Sequence, residues 1–106
     1  MVPSKAIRDR LKKSEGELLT SDLDAIGISV SSLVKVPLTQ NQFDALVDFA
    51  HSLGTEALKI STLLKMLNRW NYFGAAEQFL HWGGVESAAR RAEERELFLS
   101  GPPRIS

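Results

Sequence analysis

Apolar residues recur along most of the chain at spacings of three and four positions, which is the period of an α-helix. The best-specified stretch lies in the middle, where one apolar stripe is formed by Phe43, Leu46, Val47, Ala50 and Leu53. Thr39 and Gln42, three positions apart, predict a capping box at the start of this helix, and Gly54 suits its end. No strong strand alternation and no internal repeat is present. The pattern therefore predicts an all-α fold, a compact helical bundle with short connections.

The same period predicts further helices on both sides of this one. A long N-terminal helix is expected over about 4–26, with Ser4 as its cap, and a further helical turn over 31–35. Short helices should follow the central one, each with a capping side chain at its start: Thr55, Ser61 and Asn71. The last of these is expected to end near Trp82. A final helix is predicted over about 86–99.

The length of 106 residues fits one small domain. We expect it to consist of an N-terminal or joining helix at 1–30, a helical core at 31–101 and a tail at 102–106. Hydrophobic residues make up 43% of the chain, which is ordinary for a soluble globular protein. The sequence therefore predicts one domain around one core.

Charge and residue types exclude several classes of function. Thirteen basic and thirteen acidic residues cancel, so no overall field attracts nucleic acid or an acidic membrane. The chain has no cysteine, and its two histidines, His51 and His81, lie too far apart along the sequence for a metal-ligand motif. We therefore expect no metal, no cofactor, and neither nucleic acid nor a membrane as partner.

The start of the chain lacks the pattern of a secretory signal peptide. The stretch "MVPSKAIRDRLKKSEGELL" is charged and has no apolar run of about 7–15 residues. Nothing in the sequence approaches the roughly 18 consecutive apolar residues of a membrane-spanning helix. We expect a cytoplasmic location, with the periplasm reached only after release by another agent.

Four segments together resemble a known family: "VKVPLTQNQFDALVDFAHSLG", "STLLKMLN", "YFGAAEQFLHW" and "RRAEERELFLSG". In order and spacing they resemble the C-terminal helical lobe of the phage-type lysozymes, the endolysins of glycoside hydrolase family 24. The resemblance covers roughly Leu18 to Gly101 and leaves the first twelve or so residues unplaced. It implies a helical lobe of phage or prophage origin, acting in a bacterial host.

The resemblance also implies what accompanies such a lobe. In that family a small N-terminal lobe with a β-sheet carries the catalytic glutamate, aspartate and threonine, and the peptidoglycan groove lies between the two lobes. The stretch "GELLTSDLDAIGISVSSLVKVPLTQ" matches the helix that joins the lobes and the segment after it, without a gap. In this register the chain begins near the joining helix, and the catalytic lobe is absent.

A second register places a catalytic pair at the start of the chain. The family's signature has a glutamate followed by glycine, an aspartate nine positions later and a threonine fifteen later, and here Glu15 and Asp24 fit the first two. Glu15 would be the general acid, and Asp24 the nucleophile or base positioner. The threonine position holds Val30, and no room remains for a β-lobe between Gly27 and Leu33. We therefore rank this register second.

The first register implies a binding face instead, made of His51, Ser52, Trp82, Arg90 and Arg91. Ser52 stands where the family has an asparagine that touches substrate, and Trp82 precedes the family's groove-lining loop. Arg90 and Arg91 match the start of the family's basic run. The alternatives stay open: His51 as a helix-end residue, Trp82 as a core aromatic, and "RRAEERE" as a solvated helix face with Glu–Arg pairs.

Three hypotheses about function follow. The leading one is a non-catalytic lysozyme-derived domain that binds a protein partner or itself, with peptidoglycan binding as a weaker variant. The second is a minimal muramidase that uses Glu15 and Asp24. The third is an inert remnant, or one part of a split enzyme that a separate catalytic lobe completes.

Overall fold

The computed structural model of the protein describes residues 1–9, 20–83 and 87–100. Within these ranges the chain is helical and contains no strand, so the all-α prediction is confirmed. Residues 5–9 form α1. The helices that follow are α2 (Thr20–Leu33), α3 (Gln40–Leu53), α4 (Thr55–Lys59), α5 (Thr62–Leu67), α6 (Tyr72–Gln78), a 3-10 turn (Phe79–His81) and α7 (Ala88–Leu99). None of these described helices is long and apolar enough to cross a membrane.

Helix α3 is the centre of the bundle, with α2 packed on one side and α7 on another. Its apolar stripe is almost entirely withdrawn from solvent. The predicted capping box is present: Thr39 Oγ1 accepts from Gln42 N at 3.1 Å, and Gln42 Oε1 accepts from Thr39 N at 2.9 Å. Gly54 ends the helix at φ 97°, a conformation that favours glycine. The local signals for this helix therefore act as the sequence predicts.

The first nine residues dock onto α3 and α2. Ser4 caps α1 as predicted, with its Oγ accepting from Ile7 N at 3.2 Å. The backbone N–H of Ser4 donates to Asp44 Oδ1 at 3.0 Å, and its hydroxyl donates to the other oxygen of the same carboxylate. Arg8 pairs with Asp24 on α2. Asp44 is 3% exposed, so this start of the chain is part of the folded core.

The end of α2 differs from the prediction. Helix α2 continues through Gly27 to Leu33, past the expected end near 26. Gly27 is buried, and a Cβ there would lie 3.0 Å from Pro3 Cδ and 3.3 Å from Phe43 Cζ. The glycine therefore allows close packing inside the helix and does not mark its end.

The predicted caps of the short helices have mixed outcomes. Ser61 Oγ accepts from Leu64 N at 3.0 Å, and Asn71 Oδ1 accepts from Gly74 N at 2.8 Å, so both of these caps are confirmed. The prediction for Thr55 is wrong, because Thr55 is already helical and the cap residue is Gly54, which has no side chain. The 3-10 turn continues α6 toward Trp82, where the sequence placed the end of that helix.

Candidate functional site

Aromatic side chains gather where α3 meets the 3-10 turn and α7. The ring of Trp82 meets Phe49 edge-on, with centroids 5.4 Å apart. The guanidinium carbon of Arg91 lies 5.7 Å from the centroid of the same Phe49 ring, within cation–π range. Phe49 therefore brings together two of the residues that the sequence singled out.

A cluster of four charged residues lies between α3 and α7 and is defined here as the buried charge cluster: Asp48, Arg90, Arg91 and Glu94. Arg90 Nε donates to Asp48 Oδ1 at 3.0 Å, and Arg91 Nη2 donates to Glu94 Oε2 at 2.6 Å. The side chains of Asp48 and Glu94 are fully buried, and that of Arg91 is 1% exposed. Charges seldom lie inside a protein unless they are paired in this way.

The pKa of Glu94 is raised from 4.5 to about 9, first by burial and then by the hydrogen bond and the negative charge of Asp48. The neighbouring Arg91 acts in the opposite direction. Two carboxylates that share a hydrogen bond need one proton between them, and desolvation favours the neutral form. Glu94 therefore keeps its proton at neutral pH in the folded protein and can donate to Asp48.

The buried charge cluster corrects one interpretation of the sequence. The run "RRAEERE" is not simply a solvated face, because Arg91 and Glu94 point into the core. Ala92, Glu93 and Glu96 are exposed, so only part of the helix faces solvent. Arg91 is too deeply buried to reach a ligand on the surface, whereas the side chain of Arg90 is 24% exposed.

The other predicted binding residues lie at the end of α3 and after the 3-10 turn. Ser52 is exposed, and His51 and Trp82 are half-buried. His51 Nδ1 is withdrawn from solvent and has no hydrogen-bond partner in the described part of the chain. The surface that these elements offer to a ligand therefore consists of Ser52 with parts of His51, Trp82 and Arg90, and we call it the α3-end face.

The second register can be examined only in part, because Glu15 lies outside the described residues. Asp24 sits on α2 and is ion-paired with Arg8. Val30, at the threonine position of the signature, is 0% exposed and belongs to the hydrophobic core. No group of three or more His, Asp or Glu side chains within the described ranges could hold a metal ion.

Sequence reasoning missed Asp48, Phe49 and Glu94 as members of this region. A signal for Asp48 was available, because it interrupts an otherwise apolar run from Ala45 to Ala50 on the best-specified helix. Glu94 stands three positions after Arg91, a spacing at which helical side chains meet. The pairing of Arg90 with Asp48 joins residues 42 positions apart, so no local sequence pattern predicts it.

Comparison with known proteins places this fold in a family. The family model described as phage lysozyme matches residues 4–94. The match begins at residue 4, which corrects the expectation that the first twelve or so residues lie outside the resemblance. The endolysin of Salmonella phage P22 is 44% identical over 93 residues, and the match covers 83% of this chain and 64% of that protein. The endolysin of Bacillus phage B103 is 47% identical over 91 residues, covering 80% of this chain and 35% of that protein.

Solved structures agree with these sequence matches. A crystal structure of a P22 lysozyme mutant superposes with a TM-score of 0.84 at 32% identity, covering 94% of this chain and 99% of that one. The muramidase domain of SpmX from Asticaccaulis excentricus superposes with a TM-score of 0.77 at 27% identity, covering 92% of this chain and 97% of that one. The chain spans less than two thirds of the length of either endolysin named above. By sequence match and by fold, the chain belongs to the phage lysozyme family.

Proposed function

We propose that this chain is a non-catalytic member of the phage lysozyme family, of phage or prophage origin, that acts by binding a protein partner. The observation that carries the proposal is Val30. In the register that would make Glu15 and Asp24 catalytic, the family signature has a threonine at position 30. The side chain of Val30 is apolar and is fully buried in α2.

The surroundings of Asp24 support the same proposal. Glycosidic cleavage needs two carboxyl groups that flank the scissile bond from opposite sides. Asp24 lies on a helix and is engaged by Arg8. Residues 20–83 contain no strand from which a second wall of a groove could be built.

The α3-end face is our candidate for the binding surface. It combines a half-buried tryptophan and histidine with an exposed serine and a partly exposed arginine. Trp and Arg are the residues that most often dominate protein interfaces, because each offers a large apolar area and a polar end. Residual peptidoglycan binding at the same face would be weak, since ligand sites usually enclose most of their ligand.

The alternative function is a minimal muramidase with Glu15 as acid and Asp24 as nucleophile. Two observations favour it. The family match starts at residue 4 and so includes Glu15, and a structural neighbour is described as a muramidase domain. In this alternative the chain shares the family's hydrolysis of peptidoglycan as well as its fold.

A turbidity assay decides between the two functions. Purified protein is added to bacteria with a permeabilised outer membrane, beside Glu15→Gln, Asp24→Asn and a two-lobed phage lysozyme as positive control. We expect no clearing by the wild type or by either variant. Clearing by the wild type that both substitutions abolish would establish the muramidase and overturn the proposal.

A photo-crosslinking residue then tests the binding face. It is placed at Ser52 and, as a matched control, at Lys35, which is also exposed but lies before α3 begins. We expect protein adducts in infected or lysogenic cells at position 52 and not at position 35. Equal labelling at both positions, or none at 52, would contradict the α3-end face as the interface.

A further inference from the structure

Trp70 has a backbone conformation that its residue type disfavours. Its φ is 67°, and it is the one residue other than glycine with a positive φ in the described chain. Left-handed backbone is disfavoured for an L-residue because its Cβ crowds the carbonyl oxygen, and burial does not offset this cost, because Trp70 is 64% exposed. Packing therefore does not explain why a tryptophan stands here. Such strain in an ordered turn is a reason to look for a binding role.

The turn holds Trp70 firmly in place. Trp70 N donates to Leu67 O at 2.9 Å, and Asn71 N donates to Met66 O at 3.0 Å, which closes the end of α5. The side chain of Asn71 then caps α6. The backbone is held on both sides of Trp70, by the end of α5 before it and by the start of α6 after it. The indole is therefore presented to solvent from one backbone conformation.

Beside the indole lies a groove of about 430 Å³, lined by Pro37, Leu38, Thr39, Gln42, Trp70 and Tyr72. The rings of Trp70 and Tyr72 are 6.4 Å apart at 60°, so they form two walls of a corner. The hydroxyl of Tyr72 donates to Pro37 O at 2.5 Å, and this bond holds the Tyr72 ring against the segment that precedes α3. All six lining residues are uncharged.

Two of the lining residues, Thr39 and Gln42, carry polar side chains. The capping box uses the Oε1 of Gln42 and leaves its Nε2 amide without a hydrogen bond in the described chain. Such a site has apolar aromatic walls, no charge, and a few amide and hydroxyl groups that fix orientation. A pyranose ring has the complementary chemistry. Its C–H face stacks on the electron-rich face of an indole, and its hydroxyl or acetamido oxygens accept from an amide.

We propose that the Trp70–Tyr72 corner is a binding site for a neutral saccharide ring. The corner lies at the start of α3, about 15 Å along the helix from Ser52, so it is separate from the α3-end face. The proposal does not depend on whether the chain is catalytic.

Fluorine NMR on fluorotryptophan-labelled protein tests the proposal, because each of the two tryptophans gives its own resonance. The probe is chitotetraose, a neutral N-acetylated saccharide, added up to about 10 mM, above the roughly 1 mM dissociation constant of a weak contact. Trp70→Gly assigns the resonances, and it should fold because glycine suits the backbone there. We expect a saturable shift of the Trp70 resonance, with Trp82 unmoved.

Calorimetry or NMR on variants completes the test. Trp70→Gly should weaken saccharide binding at least about tenfold. The control Phe73→Ala removes an exposed aromatic that neighbours the corner but does not line it, and it should bind as the wild type does. Absence of a Trp70 shift, a shift of Trp82 alone, or unchanged affinity in Trp70→Gly would overturn the proposal. So would tighter binding of a proline-rich peptide, the other ligand that suits an aromatic groove.

Discussion

The protein buries charged groups at one place and exposes aromatic groups at another. Between α3 and α7, three side chains of the buried charge cluster, those of Asp48, Arg91 and Glu94, have almost no contact with water. At the turn between α5 and α6, Trp70 and Phe73 are 64% and 73% exposed. In both places residue type alone would predict the opposite position. The contrast shows that residue type alone does not decide burial: charged side chains that have partners can enter the core, and an aromatic ring can remain on the surface even where it contacts another ring, as Trp70 contacts Tyr72.

Arg91→Met tests the interior side of this contrast and should give the largest loss of stability among the substitutions of charged residues. Methionine keeps an unbranched apolar stem beside Phe49 but removes the hydrogen bond that Arg91 donates to the buried Glu94. Loss of a buried hydrogen bond that involves a charged group costs about 1.5–3 kcal/mol. Urea unfolding followed by circular dichroism measures the loss.

The control is Arg95→Met on the same helix. Arg95 is paired with Glu77 at 2.5 Å and Glu96 at 3.1 Å, but these partners are exposed, so its loss should cost less than about 1 kcal/mol. Equal losses in the two variants would show that burial of Arg91 adds nothing to its contribution.

Glu94→Gln should change the pH dependence of stability. The pKa of Glu94 in the folded protein is raised to about 9 from 4.5, so its stabilising contribution is full below pH 4.5 and is lost as the pH rises toward 9. The slope is at most about 1.4 kcal/mol per pH unit for one proton. Glutamine resembles the protonated form, so the variant should gain on the wild type as pH increases.

Unfolding free energies at pH 5.5 and pH 8 provide the measurement for that variant. Glu93→Gln, at an exposed neighbouring position, should run parallel to the wild type across this range. A Glu94→Gln profile that also runs parallel would contradict a raised pKa in the folded state.

Trp70→Gly tests the exposed aromatic side of the comparison, because it relieves the left-handed backbone at that turn. Relief of the left-handed strain is worth roughly 1–2 kcal/mol, and the extra freedom of glycine in the unfolded chain removes about 0.5–1 kcal/mol of that. We expect a small net gain in the free energy of unfolding. Trp70→Ala loses the same ring contact with Tyr72 but keeps the left-handed strain, so it should be less stable than the glycine variant. The reverse order would rule out strain at this turn.

Phe73→Ala should have the smallest effect, within about 0.5 kcal/mol, because exposed substitutions away from special features change stability little. The matched variant is Phe79→Ala, six positions after Phe73 along the chain and fully buried in the core, where truncation costs about 3–5 kcal/mol. Thermal unfolding of the two variants compares the stability lost on truncating a buried phenylalanine with that lost on truncating an exposed one. Similar losses would mean that Phe73 is covered in solution.

Much of the fold was accessible to local reasoning. The capping box of Thr39 and Gln42 and the caps at Ser61 and Asn71 each rest on atoms within three residues of one another, and the sequence predicted them correctly. The end of α2 was predicted too early, near residue 26, because local reasoning could not show that Gly27 lies inside the helix. The role of this glycine depends on Pro3 and Phe43, which only the tertiary structure brings together.

The candidate site was less accessible for the same physical reason. Arg90 and Trp82 were identified through resemblance, but the burial of Arg91 follows from the orientation of α7 against α3. Asp48 contributes through a partner 42 positions away. At Trp70 the sequence carries none of the glycine or asparagine that usually marks a left-handed turn, so the aromatic corner could not be predicted.

The link between Ser4 and Asp44 has a consequence for synthesis on the ribosome. The two residues are 40 positions apart, and translation proceeds at about 5–20 residues per second. The first segment therefore emerges about 2–8 s before the carboxylate that will hold it has been made. During that interval the segment around Ser4 has no docking site on α3, so its place in the core is filled only after α3 has been synthesised.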